Sequence, residues 1–142
     1  TAMTATEQLI EHNIRPSVQR VAIMQYLLDH RTHPTADDIY TELVKTMPTL
    51  SRTTVYNTLQ LLVTNQAVLG LTIDQHNMHF DGYTHPHAHF LCRSCGKIFD
   101  VEVNSHLREH LFTSDKFAIE KVELNYVGLC PDCRIREINN DN

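Results

Sequence analysis

The sequence has no stretch of eighteen apolar residues, so no helix is expected to span a bilayer. Its first residues lack a basic region followed by an apolar one, so no secretory signal is expected. Both absences predict a cytoplasmic chain, where disulfides seldom persist. Thr1-Ala2-Met3 reads as an expression remnant. Positive charge is also short: 12 Lys and Arg stand against 17 Asp and Glu, a formal net charge of -5. That excludes a broad polyanion-binding surface, although a local basic patch can still hold DNA. Repeats and low-complexity runs are absent, apart from the polar residues 139–142. Cysteine is scarce too, with 4 in 142 residues.

What is there is organised around one stretch, His85-Pro86-His87-Ala88-His89-Phe90-Leu91-Cys92-Arg93-Ser94-Cys95. On a strand, residues i and i+2 share a face, which sets His87 and His89 about 7 Å apart, pointing the same way. A second pair, Cys130 and Cys133, matches Cys92 and Cys95 in its Cys-x-x-Cys spacing. Each pair offers two thiolates to one tetrahedral zinc, and structural Zn2+ is the expected use. A disulfide is disfavoured by compartment and by the strain of a Cys-x-x-Cys bridge. A redox dithiol would need a βαβ context that is not evident.

The chain is 42% hydrophobic, enough for a core in one domain or two small ones. Helices are predicted over 5–13, with Leu9 and Ile10 apolar, and over 17–30, with Val21, Met24, Leu27 and Leu28 at helical spacing. Thr35 caps a third helix, with Asp37 and Asp38 in its first turn and Ile39, Leu43 and Val44 along one side. Ser51 caps a fourth, whose buried stripe is Val55, Leu59, Leu62 and Val63. Strands at 67–73 and 78–81 flank a polar loop of hairpin length. This order is that of a winged helix-turn-helix with one extra leading helix. The second half predicts strands at 87–92, 97–103 and 117–127, a helix near 105–114, and a short helix after Pro131. Such a small domain would be marginal without a metal or a partner.

Asp81 ends the hairpin and Asp100 follows the first cysteine pair. With His87 and His89 they can meet near the domain junction; if His33 joins them, a metal ties the two domains together. A nitrogen and oxygen set without thiolate suits Fe2+ or Mn2+ as well as zinc. Three readings follow: a metal-switched DNA-binding repressor, a non-haem iron metalloenzyme built on His87, His89 and an aspartate, or a zinc-stabilised interaction module.

Together the motifs His33-Pro34-Thr35-Ala36-Asp37-Asp38-Ile39-Tyr40, Ser51-Arg52-Thr53-Thr54-Val55-Tyr56-Asn57-Thr58-Leu59, His87-Ala88-His89 and the two cysteine pairs resemble the ferric uptake regulator family of metal-dependent bacterial repressors, over residues 7–136. The resemblance implies an α+β chain with a winged-helix DNA-binding domain (1–82), a hinge (83–86) and a small α/β dimerisation domain with a four-cysteine zinc site (87–142). It implies a homodimer, no membrane, no enzyme, and an A/T-rich palindromic operator on double-stranded DNA. The implied regulatory ligands for Fe2+ or Mn2+, with zinc able to substitute, are His33, Asp81, His87, His89 and Asp100. Iron-sensing members often carry glutamate where Asp81 and Asp100 stand, and two aspartates look more like the peroxide-responsive branch; plain iron sensing is the alternative. An additional family site would need ligands where Pro86, Ala88 and Lys121 stand. Zinc-sensing members usually place a cysteine in the regulatory site. The helix from Ser51 would enter the major groove, with Tyr56 on thymine methyls, Asn57 on adenine or phosphate, and Arg52 on phosphate or guanine. Arg15 matches a position that enters the minor groove, and Arg20 would hold phosphate.

Overall fold

Four hydroxyl side chains set where the first helices begin. In the computed structural model, which describes residues 3–85, 87–111 and 113–140, Thr4, Ser17, Thr35 and Ser51 each accept a hydrogen bond from the backbone N–H three residues on. Each satisfies a donor that the first helical turn leaves unpaired. The helices are α1 (Ala5–Glu11), α2 (Val18–Asp29), α3 (Ala36–Leu43) and α4 (Arg52–Thr64). At Thr35 the cap is reciprocal, because Asp38 accepts the Thr35 N–H. Thr1, Ala2, Pro86, Phe112 and residues 141–142 lie outside the described residues. With them lie most of the remnant reading, the last hinge residue and the end of the polar tail.

The chain divides into two units, Thr1–Thr84 and His85–Asn142. The core of the first takes Ala5 and Leu9 from α1, Ile23, Met24 and Leu27 from α2, Ile39 from α3, and Val55, Leu59 and Leu62 from α4. Ile10, expected beside Leu9, is 60% exposed. It lies about 100° round the helix from Leu9, whereas Ala5 is one turn back on the same line. Thr58, not Val63, completes the buried line of α4. Strands β1 (Leu69–Leu71) and β2 (His79–Asp81) pair antiparallel, Leu69 opposite Asp81 and Leu71 opposite His79. They form the wing of a winged helix-turn-helix. Gly82 follows directly, where a Cβ would stand 3.0 Å from the Leu27 carbonyl oxygen. Any larger residue would press on the α2 backbone here, so glycine suits the exit from β2.

The second unit holds a three-stranded sheet, ordered β4 (Ile98–Val101), β3 (Ala88–Cys92), β5 (Asn125–Gly128). β3 runs antiparallel to β4 and parallel to β5, so β3 and β5 end on the same side, with Cys92 opposite Gly128. Helix α5 (Ser105–Leu111) precedes β5, and α6 (Pro131–Asn140) follows it. The strand expected over 117–127 is confined to Asn125–Gly128. β3 begins at Ala88 and sets His89 opposite Asn125, so the residues before Leu124 run past the start of the strand they would pair with. Phe117 is 75% exposed, and Ile119 and Val122 are exposed as well.

Candidate metal centres and DNA-binding face

Register brings the cysteines together. β3 delivers Cys92, and Gly96 at φ 76° lets the chain reverse, its N–H donating to the Cys92 carbonyl at 2.9 Å. β5 delivers Cys130 at the same end of the sheet, and Cys133 lies in the first turn of α6. All four sulfurs lie within 4.8 Å of one another, and none is in a disulfide. The Cys95 and Cys130 sulfurs are 3.9 Å apart. Four thiolates on a tetrahedral zinc at about 2.3 Å would stand roughly 3.8 Å apart, so the spacing fits that ion. Backbone N–H groups of Cys95 and Cys130 donate to the Cys92 sulfur and hold its thiol down at about 6. The side-chain hydrogen bond with Cys130, and then burial, push the Cys133 thiol up to about 11. Such a cluster holds some thiolate and some thiol, and zinc would displace the remaining protons. Arg93 ties the knuckle to α6 through Glu137, at 3.4 Å.

The histidines and aspartates form a harder set of ligands in each unit. In the first, His33 sits at φ 57°, a left-handed backbone that costs a non-glycine residue about 1–3 kcal/mol. It is held from β2: His79 Nδ1 donates to the His33 carbonyl at 2.6 Å, and Phe80 N donates to that of Pro34 at 2.9 Å. This stitching aims His33 Nε2 at Asp81 Oδ2, 3.4 Å away, with both side chains buried. The other oxygen, Oδ1, accepts from Tyr83 N at 2.9 Å. Asp74 Oδ2 in turn holds His79 Nε2 at 2.9 Å. The His76 N–H and then the His79 ring hold the Asp74 carboxyl below its ordinary value.

In the second unit Asp100 lies directly across from His89. His87 Nε2 and His89 Nε2 both aim at its Oδ1, at 3.1 and 3.5 Å. His87 Nδ1 donates to the His85 carbonyl at 2.7 Å, which fixes the tautomer with Nε2 as the basic nitrogen. Two imidazoles converging on one carboxylate oxygen suit a divalent cation better than either ring alone. His79 and Asp74 were not singled out in the sequence. The available signal was the strand period, since His79 and Asp81 share a face.

Of the residues expected at DNA, Arg15, Arg20 and Asn57 share one groove of the first unit. Arg15, Ser17, Gln19, Arg20, Thr54 and Asn57 surround an open groove of about 470 Å³. Arg20 Nη1 donates to the Arg15 carbonyl at 2.9 Å, and Ser51 serves as the α4 cap. Tyr56 is 57% exposed and Asn57 is exposed on the same helix. Arg52 ion-pairs with Asp37 and lies over the Tyr40 ring, 4.4 Å from its centroid.

These parts define a class: a winged-helix, DNA-binding transcriptional regulator that depends on metal, with a four-cysteine zinc site and separate His and Asp ligands for a harder ion. The model of the ferric uptake regulator family matches residues 11–127, and the chain belongs to that family. It is 36% identical over 138 residues to the peroxide operon regulator of Bacillus subtilis, covering 94% of this chain and 93% of that protein. It is 34% identical over 131 residues to a peroxide-responsive repressor of Staphylococcus aureus, covering 89% and 86%. Among solved structures, the peroxide-sensing regulator of Streptococcus pyogenes is 32% identical, with 94% and 95% covered and a TM-score of 0.52. The ferric uptake regulator of Pseudomonas aeruginosa with manganese is 19% identical, with 91% and 99% covered and a TM-score of 0.75, a likeness of fold. Among the described residues, no helix is long and apolar enough to cross a membrane.

Proposed function

We propose that this regulator is a cytoplasmic, homodimeric repressor that senses peroxide through one Fe2+ or Mn2+ ion held by His33, Asp81, His87, His89 and Asp100. The observation that carries the reading is the chemistry of the donors. All four thiols cluster with one another, and each unit separately aims imidazole nitrogen at aspartate oxygen. Such donors suit Fe2+ and Mn2+. An ion taking ligands from both units would order one against the other, and with them the two reading helices of a dimer. Two aspartates and the likeness to peroxide-responsive relatives favour peroxide over plain iron sensing. Iron, when bound, supplies redox chemistry toward peroxide that manganese does not. The chain's part would be to hold three imidazoles next to that ion, within reach of peroxide, so that oxidation of one by peroxide would remove a ligand. The role is stoichiometric, without catalytic turnover.

The partner copy is expected on the second unit, where Phe117, Tyr126, Val127, Ile135 and Ile138 are exposed apolar residues. The operator is expected to be an A/T-rich palindrome, with Tyr56 and Asn57 in the major groove, Arg15 in the minor groove and Arg20 on phosphate.

The test uses protein purified without oxygen, loaded with iron or manganese and bound to operator. Brief peroxide should add one oxygen atom to His33, His87 or His89 in the iron form alone, and that form should leave the DNA. Peptide mass spectrometry reads the first outcome and anisotropy the second. Iron-loaded protein that stays on DNA with unmodified histidines would move the assignment to iron sensing.

A further inference from the structure

Arg52 opens α4, the helix assigned to the major groove, and its neighbours are unusual for a residue that meets phosphate. Asp37, on α3, forms an ion pair with it, and both side chains are more than half exposed. Tyr40, one turn further along α3, lies under the guanidinium with 4.4 Å between its ring centroid and Cζ. Such a surface pair contributes little stability, about 0–1 kcal/mol. Its effect is on geometry and charge. A carboxylate beside the arginine repels an approaching phosphate and cancels the charge that a phosphate contact uses. The same carboxylate, with the ring beneath, holds a planar five-donor fork in one orientation while occupying a single Nη1. A held fork is what bidentate reading of guanine O6 and N7 requires.

Position on the helix agrees. Arg52 and Tyr56 are four residues apart, so they share a face of α4 about 6 Å apart along its axis. Both line one open concavity with Asp37 and Tyr40. A base-pair step is about 3.4 Å, so residues at that separation meet bases about two steps apart.

We propose that Arg52 is a base-reading residue, set by Asp37 and Tyr40, that selects a guanine in each operator half-site about two base pairs from the position met by Tyr56. This rests on the operator-binding reading above and narrows it, since it places one G·C pair at a defined point in an A/T-rich site.

The experiment is selection from random duplex DNA by the full-length, manganese-loaded protein, followed by anisotropy titrations over a range of salt. Wild type should select a guanine at one position per half-site. Replacing that guanine by 7-deazaguanine, which lacks N7, should weaken wild type and leave Arg52→Ala unaffected. Arg52→Ala should select the same site with that one position relaxed, losing about 5- to 150-fold in discrimination there, with its salt slope unchanged. Asp37→Ala should loosen the same position by several fold while binding random DNA at least as tightly as wild type. The proposal is overturned if Arg52→Ala keeps the guanine and instead loses about two units of salt slope per dimer, the signature of a phosphate contact at each half-site. Wild type that selects no sequence with metal present would overturn the operator-binding reading itself, a different failure.

Discussion

Replacing His79 by alanine tests whether the wing positions the proposed ligand His33. The substitution removes the 2.6 Å bond to the His33 carbonyl and the 2.9 Å bond to Asp74. A neutral hydrogen bond contributes about 1 kcal/mol and one to a charged group about 1.5–3 kcal/mol. The His33 backbone, at φ 57°, then loses a clasp that offsets strain of about 1–3 kcal/mol and can relax away from Asp81. With about 2.5–4 kcal/mol of hydrogen bonding lost, less any strain relieved at His33, the first unit should melt at least roughly 10 °C lower, since a domain of this size shifts about 4–8 °C per kcal/mol. Removing a group that orients a metal ligand typically weakens the metal about 10- to 100-fold. The assay is operator anisotropy titrated with Mn2+, which avoids ligand oxidation, with zinc measured by elemental analysis. His79→Ala should need about 10- to 100-fold more Mn2+ yet keep one zinc per chain. His79→Gln, which retains a donor, should recover part of the loss. Wild-type manganese affinity in His79→Ala would refute the idea that the wing holds His33 for metal.

Two further outcomes follow from the same geometry. Cys130→Ser should lose zinc and, with it, the fold of the second unit, because structural zinc contributes about 10–16 kcal/mol, more than most domains possess in total; a folded, zinc-free variant by circular dichroism would mean the pairs are misread. The Asp74 carboxyl is held below its ordinary value, so its contribution is present above the unfolded carboxylate pKa, about 3.9, and disappears as pH falls through the lower folded value. Wild type should therefore melt above Asp74→Asn at neutral pH and converge with it in acid; a constant gap down to that range would show that Asp74 is not the titrating partner.

Much of this was legible in sequence where the cause is local. Thr35 and Ser51 cap the helices they were expected to cap, because the signal is a hydroxyl three residues before an N–H. The cysteines were legible because two matched spacings imply a shared tetrahedron. Ile10 was misjudged because helix period alone does not say which line is buried. The strand over 117–127 was overextended because alternating apolar residues report a preference for pleat and carry no information about where the neighbouring strand begins. The bond from His79 to His33 was not legible for a related reason, since the two lie 46 residues apart. The sequence nominates Arg52 for DNA, whereas its fixing by Asp37 and Tyr40 appears only when α3 and α4 are packed.

The parallel pairing of β3 with β5 bears on how the chain comes off the ribosome. His89 pairs with Asn125 and Cys92 with Gly128, so the central strand acquires that edge only after the intervening segment has been synthesised. Contacts so distant along the chain are slow to form, since loop closure precedes any reward. The first pair of thiols waits as an open half-site while the winged-helix unit, made entirely of earlier residues, is already complete. The zinc site, which needs Cys130 and Cys133, would therefore be completed only after the first unit has been made. In a zinc-starved cell the nascent pool would be expected to stall with a finished winged-helix unit and an unfinished second unit, exposed to proteases. Zinc supply would then set the number of sensors, and the second metal what each one reports.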